Sequence, residues 1–155
     1  MRSERGYTLL ETLVVLAIVA VISAVAVPQL YKWRQSSLYK EAAWGVVSAF
    51  RLARDSALST NLEHRVEFDI DAKRFRLATG NLSSGSTLWT GGPWTELATE
   101  VKWSSGPACD GTADLNVRFK TNGSTDSAAI CVKDVENALK YRVAVNATSG
   151  RAAID

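Results

Sequence analysis

A single histidine, two cysteines, one methionine and three prolines among 155 residues leave little material for active-site chemistry. His64 is the only imidazole, and no nucleophile–base arrangement can be assembled around it. At the head of a β-type pattern it reads as a surface residue. No cluster of His, Cys, Asp and Glu has metal-ligand spacing; Asp69 and Asp71 read instead as flanks of a turn. No glycine-rich phosphate loop is present. Neither sign of charge dominates: 18 Lys/Arg against 16 Asp/Glu give +2. That balance excludes a nucleic-acid binder working by bulk charge. No catalytic group, metal or cofactor is expected, and the chain does not read as an enzyme. It also has no internal repeat and no low-complexity segment.

What is present is unevenly distributed. Hydrophobic residues make up 46% of the chain, and many of them sit in the first 28 positions, which leaves a normally polar remainder. Residues 29–60 hold five Lys/Arg and two Asp/Glu, net +3, while residues 61–155 hold eleven and twelve, net −1. The length allows one domain with a sizeable core plus an appended segment. Cys109 and Cys131 would be unrelated core thiols in a reducing compartment. In an exported domain an even count favours a disulfide, and closing a 22-residue separation would stabilise the domain by about 3 kcal/mol on the chain-entropy model.

The stretch RGYTLLETLVVLAIVAVISAVAVP, residues 5–28, carries the strongest signal. Leu13–Val27 contains no polar side chain except Ser23. Tyr7–Val27 would span about 31 Å as a helix, the thickness of a bilayer's hydrocarbon core. A cleavable secretory signal is one reading, with Arg2 and Arg5 as its basic start and Ala24-Val25-Ala26 as a weak cleavage site. A plain membrane anchor is another. Neither accounts for Glu11, a carboxylate about one turn inside the span, where charge is costly and usually functional.

Beyond Pro28 the pattern turns amphipathic. Leu38, Ala42, Val46, Ala49, Phe50, Ala53 and Ala57 follow steps of three and four and share one helix face. Pro28 removes one backbone donor and is expected to bend the helix without ending it. Tyr31 and Trp33 are placed to mark a membrane interface. From residue 64 the period becomes two. Val66, Phe68 and Ile70 alternate with Arg65, Glu67 and Asp69, and a hairpin at Asp71-Ala72 leads to Phe75 and Leu77. Further strands are predicted at Val101–Trp103, Leu115–Phe119, Ile130–Val132, Tyr141–Val145 and up to Ile154, with a turn at Asn122-Gly123. Gly80–Gly92, rich in Ser, Thr and Gly, reads as an exposed loop. The triplets at Asn81, Asn122 and Asn146 read as loop and turn chemistry. Trp89, Trp94 and Trp103 could stack on single strands, but read more simply as core or interface anchors.

Gly6-Tyr7-Thr8-Leu9-Leu10-Glu11, behind a basic leader and ahead of the apolar run, resembles the class III signal of type IV pilins and pseudopilins. The resemblance implies that a prepilin peptidase cuts between Gly6 and Tyr7 and methylates the new amine of Tyr7. Glu11 is then the fifth residue after the cut, the family's glutamate position. Pro28 falls at the twenty-second, where the family commonly has proline. Tyr7 departs from the usual Phe. In that family the glutamate meets the N-terminal amine of a neighbouring subunit, and pairing makes both charges tolerable in an apolar bundle. VRFKTNGSTDSAAICV and YRVAVNATSGRAAID also resemble the C-terminal pattern of the GspH/FimT group of minor pilins and pseudopilins. Residues 80–114 lie outside the resemblance.

The implied fold is α+β: a long N-terminal helix packed on antiparallel β-sheets. The expected organisation is a leader at 1–6, a transmembrane assembly helix at 7–28, an amphipathic continuation at 29–62 and a periplasmic β domain at 63–155. Implied partners are other pilin subunits, the prepilin peptidase and the bacterial inner membrane, with later residence in a pilus or pseudopilus. The expected role is a minor pilin of a type IV pilus near its tip; the alternative is the equivalent pseudopilin of type II secretion. A DNA-uptake role would rest on Arg151 within Gly150-Arg151. Because no further arginine follows and an acid, Asp155, ends the sequence, nucleic acid is not an expected partner.

Overall fold

The computed structural model describes residues 8–155. It contains one helix, α1 (Leu9–Thr60), and nine strands: β1 (His64–Asp69), β2 (Arg74–Gly80), β3 (Trp89–Gly91), β4 (Thr95–Glu96), β5 (Lys102–Ser105), β6 (Leu115–Phe119), β7 (Ala128–Lys133), β8 (Leu139–Val145) and β9 (Ala152–Ile154). The chain divides into two units between Ser36 and Ser37. In the first, α1 holds an 18-residue stretch of mean hydropathy 2.7, none of it buried.

In the second unit, the face of α1 made by Tyr39, Ala42, Ala43, Val46, Val47, Phe50, Ala53 and Ala57 is buried. The three-and-four spacing from Leu38 to Ala57 identifies this face, and Tyr39, Ala43 and Val47 widen it. The helix ends at Thr60, and Asn61 follows with φ 54°. Asparagine tolerates this left-handed conformation, a common way to stop a helix.

Two antiparallel sheets complete the fold. One runs β3-β2-β1-β6, with β4 also on β2; the other runs β5-β7-β8-β9. The β1–β2 hairpin turns where Asp69 accepts the Ala72 N–H at 2.9 Å and pairs with Arg74. Inward-facing aromatics join helix to sheets. Phe50 meets Phe68 at 5.7 Å and Phe119 at 5.9 Å, while Trp103 meets Phe68 at 5.1 Å and Phe75 at 5.6 Å. Such ring pairs add about 0.5–1.5 kcal/mol each beyond area burial.

Two expectations require correction. His64 is 4% exposed, not a surface residue, because it stands two residues before Val66 on the inward face of β1, with Thr79 and Phe119 paired to it on either edge. Gly80–Gly92 is not wholly an exposed loop. β3 pairs with β2 in the register Gly80↔Trp89, and buried Ser86 ties the intervening turn to the core. That tie is Glu63, 1% exposed, whose carboxylate accepts the Ser86 N–H at 2.7 Å.

Candidate assembly site and the surfaces around it

Gly6 and Tyr7, the predicted cleavage and methylation positions, lie outside the described residues. The first described residue, Thr8, caps α1: its hydroxyl oxygen accepts the Glu11 N–H at 3.3 Å. Thr8-x-x-Glu11 is thus a threonine N-cap with glutamate at the third helical position, the sequence form of a capping box. Sequence reading assigned Glu11 and missed Thr8, although the four-residue spacing carried the signal. Glu11 stands in the first turn of α1, where a carboxylate also complements the positive end of the helix dipole. Around it Leu9, Leu10, Leu13 and Val14 are all at least half exposed. Pro28 lies inside α1.

Cys109 and Cys131 are joined, with Cα atoms 5.5 Å apart. The bond pins the segment after β5 to β7. Ser104 adds a hydroxyl donated to the Cys109 carbonyl at 2.8 Å, and Gly106 donates its N–H to the Ala129 carbonyl at 3.0 Å.

Arg151 borders a cleft of about 380 Å³ with Arg51, Arg54, Asp55 and Gly150. Arg54 donates to the Ser149 carbonyl at 3.0 Å and lies 3.6 Å from the Asp55 carboxylate. Gly150 has φ 63°, and a Cβ there would collide with the Gly123 carbonyl. The asparagines that begin the triplets at 81, 122 and 146 all close turns. Asn81 accepts from Thr87 and Leu88, Asn122 from Ser124, and Asn146 from Thr148 and Ser149.

The outward face of β1 and β2 is occupied by its own side chains. Glu67, 8% exposed, accepts from Arg65 and from Arg76. Burial acts to raise the Glu67 pKa, but the Arg76 and Arg65 hydrogen bonds and charges outweigh it and hold it below the usual carboxylate range. These two guanidiniums and that of Arg74 stack on indoles: Arg65 lies 4.3 Å from Trp89, while Arg76 and Arg74 lie 4.3 and 4.5 Å from Trp94. Trp89 and Trp94 are thereby engaged as anchors of this face. No group of three His, Cys, Asp or Glu poised to hold a metal occurs among the described residues.

Comparison with known proteins agrees with this anatomy. Residues 1–27 match the prokaryotic N-terminal methylation motif. A fimbrial protein of Pseudomonas aeruginosa is 28% identical over 131 residues, covering 79% of this chain and 84% of its own length. The minor pseudopilin EpsH of the Vibrio cholerae type II secretion system has a similar fold, with a TM-score of 0.60 at 13% identity over 77% of this chain and 94% of that one. GspH of E. coli, solved in solution, gives 0.58 at 12% identity over 77% and 87%.

Proposed function

Because this chain is a type IV pilin-like protein of the GspH/FimT kind, a minor pilin or pseudopilin, we propose that it is a minor pilin of a type IV pilus. It is cut between Gly6 and Tyr7, held in the bacterial inner membrane by residues 7–28 with its C-terminal domain in the periplasm, and built into the filament near its tip. Its partners are other pilin subunits and the prepilin peptidase, and its role is structural, without catalysis. The observation that carries this reading is Glu11, a carboxylate in the capped first turn of a helix whose most apolar 18-residue stretch is unburied. An unpaired carboxylate in a helix bundle is expensive, and a neighbouring subunit's amine relieves that cost. The pilus is favoured over type II secretion because the fimbrial relative aligns with 79% of the chain, whereas the pseudopilin likeness is one of fold.

The test is paired. Glu11→Ala keeps helix propensity and raises hydropathy, so membrane levels should match or exceed wild type. Its amount in sheared filaments should fall by at least about tenfold, since an uncompensated charge in an apolar setting costs several kcal/mol. Glu11→Gln should behave similarly. Normal incorporation of both variants would sink the assembly role of Glu11.

A further inference from the structure

Of the asparagines at 61, 81, 116, 122, 137 and 146, only Asn122 is followed by glycine. That pairing has a chemistry of its own. The backbone nitrogen after an asparagine attacks the side-chain amide carbon, closing a five-membered succinimide ring and expelling ammonia. A side chain on the following residue hinders the attack, and glycine removes the hindrance. Water then opens the ring at one carbonyl or the other, leaving aspartate or isoaspartate. Isoaspartate routes the backbone through one extra carbon.

The β6–β7 turn supplies both an aid and a restraint for this reaction. Asn122 is exposed to water, whereas Gly123 is buried. Two donors from Ser124 meet the Asn122 side chain, the backbone N–H at 3.0 Å and the hydroxyl at 2.7 Å. A backbone N–H only donates, so the atom it meets is the amide oxygen. Attack on the amide carbon gives that oxygen a negative charge, and the two donors already stand where the charge develops. Asn146 is similarly served by Thr148 and Ser149, but Ala147 follows it. The restraint falls on the nucleophile. Gly123 donates its N–H to the Lys120 carbonyl at 2.9 Å, with φ at 80°. It also lies against the helix, where a Cβ would come 3.5 Å from the Arg54 guanidinium and from Leu58. The Ser124 bonds span residues 122–124 alone, so the bond to Lys120 opens without breaking them.

We propose that Asn122 is a site of spontaneous modification, in which the two Ser124 donors stabilise the oxyanion and the Gly123–Lys120 hydrogen bond limits the rate by holding the nucleophile. The bond formed joins the Gly123 nitrogen to Asn122 Cγ. The bond broken releases the side-chain nitrogen, which leaves as ammonia with the Gly123 proton. One water is consumed in opening the ring, and no oxidant or enzyme takes part. The product brings a carboxylate into a turn bordered by Arg54. Isoaspartate also displaces backbone where the Gly123 carbonyl meets Gly150 with no room for a side chain. Modification therefore loosens the junction of the β6–β7 and β8–β9 turns.

The test incubates the full chain in detergent micelles at neutral pH, beside the same chain reduced and unfolded in urea. Mass spectrometry of its peptides follows amide-to-acid conversion at each asparagine. In the folded chain Asn122 should convert while Asn146 does not. The rate should lie about ten- to a hundredfold below that of the unfolded chain, as for a turn that opens locally at small cost. Ser124→Ala should slow the folded chain about fivefold, the worth of one hydrogen bond, and leave the unfolded chain unchanged. Hydrogen exchange of the Gly123 amide in the same samples corrects each rate for altered opening of the turn. No conversion of Asn122 after about a hundred half-lives of the unfolded chain would overturn the proposal. So would folded conversion as fast as unfolded, a corrected Ser124→Ala rate equal to wild type, or an equal Ser124→Ala effect in urea. The isoaspartate fraction should melt below Asn122→Asp, which supplies the charge without the extra backbone carbon. Equal melting would overturn the coupling to the Gly150 junction.

Discussion

Glutamine in place of Glu63 removes one charge from a fully buried position and changes almost no volume. The wild-type carboxylate accepts the Ser86 N–H at 2.7 Å, and the strand connection closes around it through Glu63 N–H to Leu82 carbonyl at 2.9 Å. A hydrogen bond to a charged group contributes about 1.5–3 kcal/mol. For the unit Ser37–Asp155, a loss of 1 kcal/mol corresponds to about 3–6 °C in Tm. Glu63→Gln should therefore melt about 5–15 °C below wild type at pH 7. The assay is a thermal scan of the detergent-solubilised chain by near-ultraviolet circular dichroism, repeated from pH 7 down to pH 3. Burial acts to raise the Glu63 pKa, but hydrogen bonding from Ser86 and Gly85 and the charge of Arg118 outweigh it, leaving it below the usual value. Its contribution is thus complete above the unfolded pKa of about 4.3 and disappears as pH falls through the lower folded value. The two melting curves should converge in acid. Equal Tm at pH 7, or a gap that stays constant through the acid range, would refute the reasoning.

Other consequences are open to direct measurement. Mature protein from membranes should begin at Tyr7 with a methylated amine; mass spectrometry finding Met1 retained in cells with active prepilin peptidase would count against processing. Non-reducing mass analysis should find no free thiol, and Cys131→Ser should lower stability by about 3 kcal/mol, checked by denaturant midpoint. Arg151→Ala should leave DNA affinity unchanged at every salt concentration. A salt-sensitive micromolar affinity lost in that variant would revive the DNA-uptake reading.

The extent to which the fold could be read beforehand follows from the kind of force involved. The buried stripe of α1 and the alternation of Val66, Phe68 and Ile70 record repeated one-sided burial, which leaves a period in the sequence. The Glu63–Ser86 tie joins residues 23 apart with no period at all. His64 stands two residues before Val66, in phase with the inward face of β1, so the alternation itself points inside; its polar ring at the head of the strand masked that phase. β3 is only three residues, and its pairing is a backbone affair that Ser, Thr and Gly composition conceals. In the assembly segment, Glu11 was legible as an anomaly of charge within an apolar run. Thr8 was legible too, through the Thr-x-x-Glu spacing of a capping box, but the anomaly of the charge beside it drew the attention.

The contact between Gly150 and Gly123 bears on how short signatures are interpreted. The β8–β9 turn comes against the β6–β7 turn so closely that position 150 admits no side chain, while Arg54 from the helix closes over the junction by bonding Ser149. The glycine of a Gly-Arg dipeptide near the C-terminus is thus demanded by the meeting of two turns, whatever the molecule touches outside. A profile that scored this dipeptide as a marker of nucleic-acid uptake would be reporting an architectural constraint in its first letter. Only the second letter, and the number of cations around it, would carry information about a polyanionic ligand.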